Sequence, residues 1–196
     1  ETRQRHHPPR RHPEAALMDR FAGHVLILSG SPGSGKTTTA EALARLPGRT
    51  PKVHLHSDDF WGYIKHGHID PWLPEAADQN RMIMEIAAGV AARYAQSGYF
   101  VALDGVIGPW SLPPYRALTV PTHYIVLRPE VAEAVARCLA RGGDSLTDPV
   151  VVADLYRQFA ELGEHGRHLL PTAGLDRPQV LASVVRALES DAFRLD

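Results

Sequence analysis

One junction restricts this chain more than any other feature. The apolar run His24–Ser29 (HVLILS) passes straight into Gly30-Ser31-Pro32-Gly33-Ser34-Gly35-Lys36-Thr37, and from there into a helical pattern over Lys36–Leu46 that Pro47-Gly48 ends. A short, continuously apolar run bounded by glycine reads as a strand buried on both faces. Lys52–Ser57 reads as a second short strand, Tyr99–Asp104 and Thr122–Leu127 as further buried ones, and His168–Pro171 as a short final strand. Helical patterns lie between and after them. Glu75–Ser97 carries Met82, Ile83, Ile86, Val90 and Tyr94 at helical spacing; Glu130–Arg141, Val150–Leu162 and Arg177–Ser190 follow. This alternation predicts an α/β fold of three layers, a central parallel sheet flanked by helices on both faces, with right-handed crossovers. Ligands of such sheets sit beyond the carboxyl ends of the strands, so the chemistry is expected there.

Gly30–Thr37 matches G-x-x-x-x-G-K-[ST] at every position, between a strand and a helix as the motif requires. Its glycines let the backbone curl so that N–H groups point inward at phosphate oxygens. The helix that begins at Lys36 aims its positive dipole end at the same anion. Lys36 can reach the β- and γ-phosphates and Thr37 can ligate Mg²⁺, with Thr38 completing the phosphate-binding set. The segment predicts a site for a nucleoside triphosphate with Mg²⁺.

The strand ends supply the other candidates. The second strand ends in His56-Ser57-Asp58-Asp59-Phe60, where Asp58 or Asp59 can accept the proton of an acceptor hydroxyl. The same residues also suit capping of a helix that starts there. Asp104-Gly105 closes an apolar strand, as expected of the carboxylate that holds Mg²⁺ from the outer shell, although Asp-Gly is also a good turn. Glycine stands after Asp104 where a water-activating glutamate is customary, which shifts the expectation from hydrolysis to transfer onto a bound acceptor. Arg128, Arg137 and Arg141 flank a helix that leads into Gly142-Gly143-Asp144. Arg137 and Arg141 share a helix face, and a lid around 137–149 would bring their charge to the transferred phosphoryl group. Between Trp61 and Trp72, the side chains of Trp61, Tyr63, Lys65, His66, His68, Asp70 and Trp72 can wall an acceptor pocket, and Arg81 can reach the same cleft.

Taken together, Gly30–Thr37, Asp58, Asp104-Gly105 and the Arg137…Arg141-Gly-Gly-Asp segment resemble the P-loop small-molecule kinases. The likeness covers roughly residues 22–190 and points to chloramphenicol phosphotransferase, zeta-toxin-like kinases, gluconate and shikimate kinases, and above all to uncharacterised bacterial ATP-binding proteins grouped with them. The resemblance implies a P-loop kinase fold and transfer of the γ-phosphoryl group of ATP to a small-molecule hydroxyl. It assigns the base to Asp58, the lid arginines to Arg137 and Arg141, and the adenine-contacting loop to Thr172-Ala173-Gly174. His66–Trp72 has no counterpart in those relatives, so no acceptor is inherited.

Composition narrows the alternatives. The 196 residues are 44% hydrophobic and 22% charged, and 21 Lys and Arg balance 22 Asp and Glu, without the basic excess usual for nucleic-acid binders. No run approaches the roughly 20 apolar residues of a membrane span. The lone Cys138 cannot form an internal disulfide, which fits a reducing, cytoplasmic setting. Residues 1–20, rich in Arg, His and Pro, read as a flexible basic extension before a single domain over 21–196. His54 and His56 alternate on one strand face, but no Cys pair or H-E-x-x-H accompanies them, so they read as buried or pocket-lining rather than as zinc ligands. Two other functions stay open: a nucleotide-dependent ATPase or switch acting with a protein partner, and a toxin-like kinase of a sugar nucleotide. Oligomeric state is not legible.

Overall fold

The computed structural model describes residues 17–141, 155–159 and 162–196. Its five strands, β1 (Val25–Ser29), β2 (Lys52–His56), β3 (Phe100–Gly105), β4 (Thr122–Arg128) and β5 (Leu169–Pro171), form one parallel sheet in the order β2-β3-β1-β4-β5. The helices are α1 (Lys36–Arg45), α2 (Ser57–Gly62), α3 (Ala77–Gln96), α4 (Pro113–Arg116), α5 (Val131–Arg141) and α6 (Arg177–Leu188). Residues 155–159 are helical as well, within the expected Val150–Leu162. The expected strands and the helices expected over Lys36–Leu46, Glu75–Ser97, Glu130–Arg141 and Arg177–Ser190 are therefore present, with ends displaced by a residue or two, and the ends of the one expected over Val150–Leu162 are not fixed by the described residues. The register sets Asp104 beside both Leu28 and His56, which brings the carboxyl ends of β1, β2 and β3 level.

Alternation along the strands sorts the core into two layers. Val25, Ile27, Val101, Leu103, Tyr124 and Val126 pack with α3 on one face. On the other face, Leu26, Leu28, Phe100, Ala102, Ile125 and Leu127 pack with α1 and α6. Each fully buried Leu or Ile contributes roughly 1.5–3 kcal/mol, so the two layers carry most of the fold's stability. Asp176 and Gln179 form a reciprocal capping box at the start of α6, each side chain accepting from the other's backbone N–H at 2.9 Å.

Two expectations need correction. The buried face of α3 is not the one its large residues mark: Met82 and Ile86 are each 44% exposed, whereas Ile83, Met84, Ala87, Ala88, Ala91 and Ala95 are buried. A face made largely of alanine lets the helix lie close on the sheet, so the longer side chains are turned outward. The boundary at residue 20 also falls inside the packed domain. Met18 is fully buried, and the Asp19 carboxylate accepts from the backbone N–H groups of Arg49 and Thr50 at 2.7 and 2.8 Å. The rest of the expected extension, residues 1–16, lies outside the described residues. Among the described residues, no helix is long and apolar enough to cross a membrane.

Candidate active site

The glycine-rich loop sits where β1 gives way to α1. Gly35 adopts a left-handed conformation (φ +89°) as it caps α1, and Ser31, Ser34 and Lys36 are buried. Lys36 folds back over the loop, its Nζ 3.4 Å from the Ser31 carbonyl. The Ser34 hydroxyl is buried and has no hydrogen-bond partner among the described residues, a polar atom that the loop itself leaves unsatisfied. An anion held by the loop amides and Lys36 suits this lining. At Gly33 (φ +77°) a side chain would collide with the carbonyl of Ala134, so α5 lies directly against the loop.

Asp104 forms the polar centre. It has no exposed surface, yet three side chains donate to its carboxylate: Thr37 Oγ1 at 2.6 Å, His54 Nε2 at 2.6 Å, and His56 Nδ1 at 3.1 Å from both oxygens. Burial alone would raise its pKa, but these hydrogen bonds outweigh burial and hold the carboxyl well below the usual range. The hydrogen bond to Asp104 raises the pKa of His56 against its own burial, and the charges of Asp58 and Asp59 act in the same direction. A hydroxyl and an ionised carboxylate beside a phosphate loop are the hard oxygen donors Mg²⁺ takes, and Mg²⁺ needs few protein ligands when phosphates and water complete its shell. Thr37 and Asp104 therefore fit the ion. Among the described residues, no group of three or more His, Cys, Asp and Glu side chains is placed to hold a metal by itself.

Asp58 stands in the first turn of α2, mostly exposed, with the Ser57 hydroxyl 3.3 Å from Oδ1 and His56 Nε2 3.5 Å from Oδ2. Gly105 explains how α2 comes so near. A side chain there would collide with the Ser57 hydroxyl, so the glycine after Asp104 admits the start of α2 to the end of β3. Asp59 lies in the same turn and its carbonyl accepts from Tyr63 N–H at 3.0 Å. Asp58 is thus the aspartate connected, through one imidazole, to Asp104.

The remaining candidates divide. Arg137 is at the loop, with Nη1 3.4 Å from the Gly33 carbonyl and Nη2 3.2 Å from Glu133. Glu133 also accepts from the Gly174 N–H at 3.2 Å, tying α5 to the Thr172–Gly174 loop. Arg141 ends α5, but its side chain, the glycines after it and the rest of the expected lid lie outside the described residues. Within Trp61–Trp72, Trp61 turns inward and donates to Asn80 at 3.0 Å, whereas Tyr63 and Trp72 are exposed, at 69% and 59%. These three do not close around one cavity as expected. Lys65 instead donates to the Gly62 carbonyl and His68 faces Asp70 at 3.5 Å. Arg81 pairs with Asp78 at the surface, a contact worth little.

Several supporting residues carry no sequence signal. Gln79 binds both the N–H and the carbonyl of Ile69, and Asn80 donates to Pro71, which together fasten the loop before α3. Ser29 and Tyr124 both donate to the Ile107 carbonyl at 2.7 Å, and Ile107 N–H returns to Ser29 at 3.0 Å, which fixes the segment after β3.

No protein-family model matches this sequence. A cytidylate kinase of Pyrobaculum arsenaticum is 29% identical over 166 residues, spanning 78% of this chain and 76% of the relative. Among solved structures, a gluconokinase from Sinorhizobium meliloti superposes with a TM-score of 0.61 at 16% identity, covering 86% of this chain and 93% of that one. A thymidylate kinase from Candida albicans gives 0.62 at 18% identity, covering 89% and 96%. At these identities the two structures show a shared fold, in this chain a five-stranded parallel sheet between helices.

Proposed function

We propose that this chain, a P-loop kinase by fold, transfers the γ-phosphoryl group of ATP to a small-molecule acceptor. The observation that carries the reading is the contact between Thr37 and the buried Asp104 at the mouth of the phosphate loop, with Asp58 one imidazole away. Lys36 and the backbone N–H groups of the Gly30–Thr38 loop, all but that of Pro32, which has none, hold the phosphate chain. Thr37 and Asp104 hold Mg²⁺, which when bound offsets charge on the phosphate oxygens. Asp58, solvated and at the rim, orients an acceptor hydroxyl and takes its proton at a carboxylate oxygen. Arg137, resting on Gly33, adds positive charge to the loop side of the crevice, and Arg141 follows it one turn later on α5. Phosphoryl transfer of this kind depends mainly on positioning and charge, which the rigid strand ends supply.

The likeness to a cytidylate kinase favours a second form of the same reading, in which the acceptor is a nucleotide phosphate. A phosphate oxygen is already ionised and needs no base. Acceptor-dependent ADP release, screened across sugars, nucleosides, antibiotics with free hydroxyls and nucleoside monophosphates, separates the two. With a hydroxyl acceptor, Asp58→Asn is expected to keep ATP binding and lose turnover by about 10²–10⁴-fold. Turnover at the wild-type rate on a nucleoside monophosphate would remove Asp58 as a base. ATP hydrolysis that needs a protein partner and no acceptor would instead identify a switch.

A further inference from the structure

The proposed reaction gives Thr37, Asp104 and Asp58 their tasks and leaves His54 and His56 without one. Both histidines occupy β2 two residues apart, so both side chains lie on the sheet face that carries α1. Parallel pairing with β3 sets His56 level with Asp104, and His54 one pleat behind it. The two rings use different nitrogens on the same carboxylate: His54 through Nε2 at 2.6 Å, and His56 through Nδ1 at 3.1 Å from each oxygen. The second nitrogen of His56 faces Asp58 at 3.5 Å.

A buried carboxylate needs hydrogen-bond donors to hold it in place. Here the Thr37 hydroxyl is the third donor, and it is also the group expected to turn its oxygen to the ion. With two nitrogen donors independent of Thr37, the Asp104 carboxylate keeps its orientation whatever Thr37 engages. We infer that His54 and His56 are positioning residues: a two-pronged clamp that fixes Asp104 for Mg²⁺ and, through the far nitrogen of His56, keeps Asp58 close to the same centre. This rests on the reading of Thr37 and Asp104 as the magnesium-side pair.

The prongs differ in reach, which makes the inference testable beyond loss of bulk. A glutamine amide nitrogen can stand in for a histidine Nε2, and an asparagine amide nitrogen for Nδ1. The affinity of each variant for a fluorescent ATP analogue is measured in EDTA and again in Mg²⁺. The ratio of the two is internal to each protein, so a variant that folds less well does not imitate the effect. His54→Ala and His56→Ala are each expected to lower the Mg²⁺ enhancement at least tenfold. His54→Gln combined with His56→Asn is expected to restore most of it, and the swapped pair, His54→Asn with His56→Gln, is not. An enhancement preserved in both alanine variants, or rescue that is equal for the matched and the swapped pair, would overturn the clamp while leaving nucleotide binding intact. A wild-type protein that binds the analogue with no Mg²⁺ enhancement would instead overturn the assignment of Thr37 and Asp104, and the clamp with it.

Discussion

Gly33 and Gly35 stand two residues apart in the same loop, both at positive φ, yet their surroundings differ. Around Gly35 nothing lies within 4 Å of where a Cβ would be, whereas at Gly33 the backbone of Ala134 blocks it. Gly35→Ala is therefore expected to cost about 1–2 kcal/mol, the strain of a left-handed L-residue. Gly33→Ala should cost that and about 1–3 kcal/mol more for overpacking against the α5 backbone. Thermal denaturation of the two variants measures the difference, and ATP binding should weaken more for Gly33→Ala because α5 must withdraw from the loop. Residue identity alone makes this loop legible, since its spacing is itself the mechanism. The clasp on Asp104 is not legible in the same way. His54, His56 and Asp104 meet only through cross-strand register, and an alternating pair of histidines looks alike whether it faces a carboxylate, a pocket or the core. Gly105 has the sequence signature of a turn former, while its task in the fold is to let Ser57 come close.

At the scale of elements, β1, β3 and β4 can be read from their apolar runs, because a strand covered on both faces leaves little room for polar residues. The rotation of α3 cannot. Periodicity weighted by side-chain size points to Met82 and Ile86, while the sheet selects the alanine face. Met82→Ala is accordingly expected to change stability by no more than about 0.5 kcal/mol. Ala91→Leu, modest by composition, should destabilise by about 1–3 kcal/mol, because the helix has no space between itself and β1 or β3 for a larger side chain. Denaturant midpoints compared at constant slope test both. Helix α2 leaves little trace as an element because six residues are too few to show a period, and the residues expected to cap it lie inside its first turn, after a His56 N-cap that makes no side-chain cap bond.

Over the whole molecule, stability depends on pH through two histidines far from the phosphate loop in function. Burial pushes the pKa of His123 down to about 4, with His24 and Arg194 adding repulsion, and burial with the charge of Arg167 does the same for His168. Each binds a proton more readily when the chain unfolds. Their contribution is therefore intact above about pH 6.5 and is lost progressively as pH falls from there towards 4, by up to about 3 kcal/mol for each. His168→Asn, which can keep the 3.0 Å hydrogen bond to the Tyr124 carbonyl, should flatten the melting temperature between pH 6.5 and 4 relative to the wild type. Neither residue stands out in the sequence, since a histidine's burial is set by packing partners that lie far along the chain. Glu133 poses a question of mechanics rather than of stability. One of its oxygens grips Arg137 and the other the backbone of Gly174, so a single carboxylate rivets two margins of the crevice together. A guest that tugs on either margin must drag the other with it.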